Sequence, residues 1–119
     1  MQGDHFTVSY HTAGTLAANH SFIFKFPFPV QLVGVSAAAS NASSGILDVG
    51  YTGALEAYVA NMDVGDSSVA AILDEPGDYE GDNYPHIAAN VNIIATLDYD
   101  GAAGTAAADF TLVLTFTEG

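Results

Sequence analysis

Hydrophobic and polar residues alternate along most of this chain, and the alternation is sharpest in an unbroken run of four phenylalanines. Phe22, Phe24, Phe26 and Phe28 share one parity, while Ser21, Ile23, Lys25 and Pro27 take the other. A period of two lines side chains up on one face of a β-strand, whereas a helix would scatter the same rings around its circumference. Pro27 and Pro29 lack an amide donor, so this strand is expected to end, bulge or lie at a sheet edge there.

The same period recurs. Phe6, Val8 and Tyr10 alternate with His5, Thr7, Ser9 and His11. Strands are also predicted over Val30 to Ala39, Gly45 to Tyr51, Ala54 to Ala60 and, more weakly, Val69 to Leu73. Ile87, Ala89, Val91, Ile93, Ala95, Leu97 and Tyr99 form one long apolar face. Phe110, Leu112, Leu114 and Phe116 form the last, alternating with Thr111, Val113, Thr115 and Thr117.

The connectors carry turn residues. Ser40 to Gly45 and Val64 to Ser68 read as loops, and Glu75-Pro76-Gly77-Asp78 opens an acidic turn that runs to Asn83. Asp100-Gly101-Ala102-Ala103-Gly104 is expected to join the last two strands as a hairpin. The run Ala106-Ala107-Ala108 has helical propensity but is too short and glycine-flanked to form a helix. About seven or eight short strands predict an all-β, antiparallel β-sandwich, jelly-roll-like, with the 119 residues forming a single domain. A chain of this size buries roughly two-thirds of its unfolded surface, enough for one core.

Charge changes the picture by exclusion. Lys25 is the sole lysine or arginine against 14 carboxylates, for a formal net charge of −13. Nucleic acids and anionic membranes are recognised through Lys and Arg, so neither is an expected partner. Without cysteine there is no disulfide or thiolate metal site. Met1 to His5 have neither the basic nor the apolar run of a signal peptide. No apolar stretch reaches the ~18 residues of a membrane-spanning helix.

Candidate chemistry is sparse. Asp74 to Asn83 hold five carboxylates, and the alternating Asp78, Glu80 and Asp82 are candidate calcium ligands, since Ca²⁺ takes six to eight oxygens. The spacing departs from an EF-hand loop at Asn83, where the turn glycine belongs, and no closing Glu follows. The plainer reading is a solvated acidic loop. His5, His11, His20 and His86 include no HxH pair, and His5 and His11 lie roughly 20 Å apart on an extended strand, too far for one ion. No GxSxG elbow is present, and an enzyme is not expected. Tyr51, Tyr58, Tyr79, Tyr84 and Tyr99 are candidate sugar-stacking rings, with Tyr79 and Tyr84 foremost, although tyrosine is equally at home in sandwich cores.

Two segments carry a resemblance. Lys25-Phe26-Pro27-Phe28-Pro29-Val30-Gln31-Leu32-Val33-Gly34-Val35-Ser36 resembles the opening of small structural proteins of tailed bacteriophages, and Asp98 to Gly119 is similar to their closing hairpin. Ile46 to Gly50 and Asp63 to Ser67 are similar in character. The resemblance covers most of the chain as texture more than as a diagnostic motif. It implies a capsid decoration (cement) protein: a homo-oligomer, with a trimer favoured, on the capsid outer surface of the virion, clamping the major capsid protein. Such proteins often carry a flexible N-terminal arm, whereas here only Met1 to His5 precede the first strand, so a sheet edge, the loops or the C-terminus would do the clamping. The competing expectation is a carbohydrate- or calcium-dependent binding module, such as an adhesin or a head or tail fibre domain, with the acidic tyrosine-bearing loop as its site.

Overall fold

Strands fold this chain because alternating apolar faces can be buried only by stacking sheet on sheet. The computed structural model describes residues 5–101 and 103–118. Its strands are β1 (His5–Thr15), β2 (His20–Phe24), β3 (Val30–Ala38), β4 (Ile46–Tyr51), β5 (Ala54–Asp63), β6 (Ala71–Leu73), β7 (His86–Ile87), β8 (Ile93–Asp98) and β9 (Ala108–Glu118). One sheet has the order β1-β9-β3-β6, with β7 also paired to β3, and the other has the order β2-β8-β4-β5. Every paired strand is antiparallel. With the two-residue β7 set aside, consecutive strands pass between the two sheets except at β4–β5, which pair directly, and the two antiparallel sheets form the expected β-sandwich.

The core forms where the two inner faces meet. Phe110, Leu112, Leu114 and Phe116 of β9 are fully buried, facing Leu47 and Val49 of β4 and Ile93, Ala95 and Leu97 of β8 in one cluster. The other parity of β9, Thr111 to Thr117, is half-buried on the outer face.

β2 ends at Phe24 and lies at its sheet's edge, as expected from Pro27 and Pro29, which cannot donate to a ladder, while other expectations need correction. The rings of Phe26 and Phe28 nonetheless stay on the core side with Phe22 and Phe24. The long apolar face from Ile87 to Tyr99 is two strands in different sheets. The chain crosses over at Ala88 to Asn92, where Asn90 sits at φ 64° and its amide donates to the Phe26 carbonyl at 2.7 Å. The closing hairpin is not formed either: β8 pairs with β2 and β4, while β9 pairs with β1 and β3. Residues 99–107 are long enough to span the ~10 Å between packed sheets, so the two most apolar strands bury their faces against each other.

One irregularity shapes the outer face of the second sheet. Between the pairs Val49↔Val59 and Tyr51↔Ala54, β4 has one residue, Gly50, and β5 has four, Leu55 to Tyr58. The β5 backbone at Ala54 and Leu55 occupies the space that a Gly50 side chain would need. Gly50 is buried for that reason.

Candidate interaction surfaces

The acidic loop is built from two short 3-10 turns, Pro76–Asp78 and Glu80–Asp82. Asp78 turns back on its own loop: Oδ2 accepts from the amides of Asp74 at 3.0 Å and Glu75 at 3.1 Å. Glu80 and Asp82 are exposed on the following turn. Among the described residues, no three His, Asp or Glu side chains gather in a group able to hold a metal ion.

Tyr79 and Tyr84 tie this loop down. The Tyr79 hydroxyl donates to the Leu73 carbonyl at 3.0 Å, and the Tyr84 hydroxyl donates to the Asp74 carbonyl at 2.9 Å. Their rings lie 5.8 Å apart at 59°. Tyr79 is 3% exposed, and burial, reinforced by Tyr84, Asp78 and Asp74, pushes its phenol far above the usual range. The two rings expected to stack on a sugar are therefore engaged in holding the loop. Tyr51 and Tyr58 lie together at the end of the β4–β5 pair, 5.8 Å between centroids. Partial burial and the neighbouring Tyr51 raise the Tyr58 phenol.

At the other end of the sandwich, loops are held by side chains the sequence reading did not single out. Asp109 accepts from the Gly14 amide at 2.7 Å and from the Ser40 hydroxyl at 2.8 Å. Those two bonds, with a smaller contribution from His11, lower its carboxyl below the ordinary value. Asn41 donates to the Ala106 carbonyl at 2.8 Å and accepts from the Ala108 amide at 3.0 Å. A cleft of about 420 Å³ opens here, lined by Ser43, Ser44, Ile46, Asp63, Asp66 and Gly101. Asp66 accepts from the Ser43 amide and Ser44 Oγ from the Thr105 amide, so both polar groups serve the loop. No histidine is in its lining.

The histidines are spread over the surface. His5 and His11 sit six positions apart on the outer face of β1, paired with Thr117 and Thr111. His11 Nδ1 and Thr111 Oγ1 are 2.8 Å apart. His86 pairs with Gln31 at the far edge of the same sheet, and His20 pairs with Leu97 in the other sheet.

The most distinctive surface runs along β1 and β2, which are edge strands of the two sheets. Between them lies a seam of half-buried rings: Tyr10 stacks on Phe22 at 4.2 Å, and Phe6 meets Phe26 edge-on at 5.1 Å. Beside it Ile23 is 64% exposed, and Lys25 is exposed on the same parity. No aspartate or glutamate occurs from residue 5 to residue 47, so β1, β2 and β3 carry none. Within β9 only Asp109 and Glu118, near its two ends, are acidic. The first sheet therefore presents an outer face mainly of Thr, Ser, Gln and His, with Val113 and Ile72 among them and Asp109 at one end of β9. Acid spacing along the chain was the available signal for this face.

No protein-family model matches this chain, and neither does any curated protein. Among solved structures it is similar to a chain of the cyanophage Pam1 capsid asymmetric unit, with a TM-score of 0.56 and 14% identity. That likeness covers 98% of this chain and 86% of the other. At this identity it is a likeness of fold.

Proposed function

We propose that this is a non-enzymatic virion structural protein that decorates the capsid exterior and bridges neighbouring copies of the major capsid protein. The fold likeness to a chain of a cyanophage capsid, spanning nearly the whole sequence, carries the reading. The physical properties fit it. A sandwich whose described core is apolar throughout supplies a rigid body. Its two ends carry exposed carboxylates, Asp66 at one and Glu80 and Asp82 at the other, suited to basic residues on a lattice. Bridging raises the barrier to shell rupture because each copy must be released from two subunits together. Copies associate with one another in this reading, with a trimer as the expected state. Mixing the purified protein with undecorated capsids from its source tests the proposal. Stoichiometric outer density by cryo-EM and a delayed thermal rupture are expected, and absence of binding at low salt overturns it.

A calcium- or carbohydrate-dependent binding module is the second reading. Glu80 and Asp82 support it, because they stand exposed beside Asp78 on a turn that brings Gly81 and Asp82 to positive φ. Calorimetry with calcium, and separately with a glycan panel, decides it. Saturable heat lost in Asp78→Asn would favour this reading, and no heat from either ligand ends it.

A further inference from the structure

We infer that the acid-poor wall formed by β1 over His5 to Thr12, by β2 and by the adjoining outer face of the first sheet is the surface on which a second copy of this chain docks. The inference rests on the proposal that copies associate and does not require the capsid reading. It starts from charge placement. Two molecules of net charge −13 repel wherever their carboxylates face each other. The β5–β6 edge brings Glu56 and Asp63, with Asp74 just past β6, and the outer face of the second sheet brings Asp48 and Asp98. Both ends carry carboxylate loops. β1 and β2 themselves carry no carboxylate, and the one held against β1, Asp109 at Gly14, lies beyond Thr12, so two copies meeting over His5 to Thr12 do so without stacking like charges.

The wall also has the features that a protein contact uses. β1 has 11 residues, roughly 36 Å at ~3.3 Å per residue, against a longest molecular dimension of 43 Å. Among the described residues it pairs only with β9, which leaves its other edge open to strand addition. It contains no proline, lysine or inward-pointing charge, and its one irregularity, between Thr12 and Thr15, leaves His5 to Thr12 as a regular edge. Next to that edge the half-buried Phe6, Tyr10 and Phe22 and the exposed Ile23 supply apolar and aromatic surface of the kind enriched at interface centres. Pairing β1 with β1 gives a two-fold dimer, and pairing β1 with β2 of the next copy gives a head-to-tail contact that closes into a ring where its rotation permits.

Sedimentation equilibrium of the full chain without capsids is the test. A mass two or three times 12.3 kDa is expected for the native sequence. Thr7→Glu with Ser9→Glu, both exposed on β1, should bring it to the monomer mass while circular dichroism and the melting profile stay those of a folded sandwich. Thr52→Glu with Thr105→Glu adds the same charge away from the wall and should leave the mass unchanged. Should the β1 pair fail to fold, amide exchange in the native chain decides instead, with β1 amides gaining protection as concentration rises. A monomer at every concentration, or equal dissociation by both charge pairs, overturns the inference. Oligomers that ignore capsids overturn the virion reading alone, and capsid binding by a wall-independent monomer overturns this one alone.

Discussion

Asp109 shows how one exposed carboxylate can organise two distant segments. It sits at φ 50°, a conformation that Asp tolerates better than most residues. From there it accepts from Gly14 on β1 and Ser40 after β3. These bonds favour the ionised form, so the folded carboxyl titrates below its ordinary 3.8. A lowered folded value means that the stabilisation is complete above pH 3.8 and fades as pH falls through the lower folded value. Asp109→Asn should therefore be less stable than the native chain at pH 6, with the difference shrinking below pH 4, as read from paired urea titrations. A constant difference across that range would show that the bonds do not depend on ionisation. Lys25 makes the opposite case. It is exposed on the parity that faces away from the rings, so Lys25→Ala should change stability by no more than about 0.5 kcal/mol. A larger loss by denaturant titration would mean that the lone cation is paired within the fold.

At the scale of elements, alternation made most strands legible. Every residue of the last predicted apolar face, Phe110 to Phe116, is buried, because period two reports directly which side of a strand meets the core. Pairing was not legible in the same way. β8 and β9 read as a hairpin because a glycine-rich turn joins two apolar runs, a local signal. The structure places them in opposite sheets, since the face-to-face contact of their inner rows removes more apolar surface from water than lying side by side. The wide irregularity in β5 was equally hidden, and Gly50 is its hinge point. Gly50→Val should cost about 1–3 kcal/mol, because the β5 backbone leaves no room for a side chain. Gly77→Ala, which meets nothing, should stay within about 0.5 kcal/mol. Urea midpoints of the two variants check the contrast. In the acidic loop, Tyr79→Phe keeps the buried ring and strands the Leu73 carbonyl, for an expected loss of about 0.5–1.5 kcal/mol by the same measurement. An unchanged midpoint would show that the clip is not structural.

For the whole molecule, charge sets both stability and contacts. Thirteen uncompensated negative charges on a 12.3 kDa body repel one another in the compact state. Salt screens that repulsion, with a Debye length of ≈ 10 Å at 0.1 M. Raising sodium chloride from low ionic strength to half-molar should lift the melting temperature by on the order of 5 °C in calorimetry, and a fall would contradict the charge argument. The candidate site was only partly legible. Asp78, Glu80 and Asp82 could be named from spacing, but the roles of Asp78, Tyr79 and Tyr84 in closing their own loop depend on where Leu73 and Asp74 come to lie.

What the chain determines by itself is local: which residues are strands, which side of each strand is apolar, where prolines end β2, and how many acids there are. Those properties follow from side-chain direction and backbone chemistry within a few residues. Which strands become neighbours was decided only in three dimensions, because interchangeable apolar faces do not name their partners. Tertiary structure likewise turned an acid-free stretch of sequence into a continuous wall by laying β1 and β2 along one side of the sandwich. A surface is set by where strands lie relative to one another, and no local pattern encodes that.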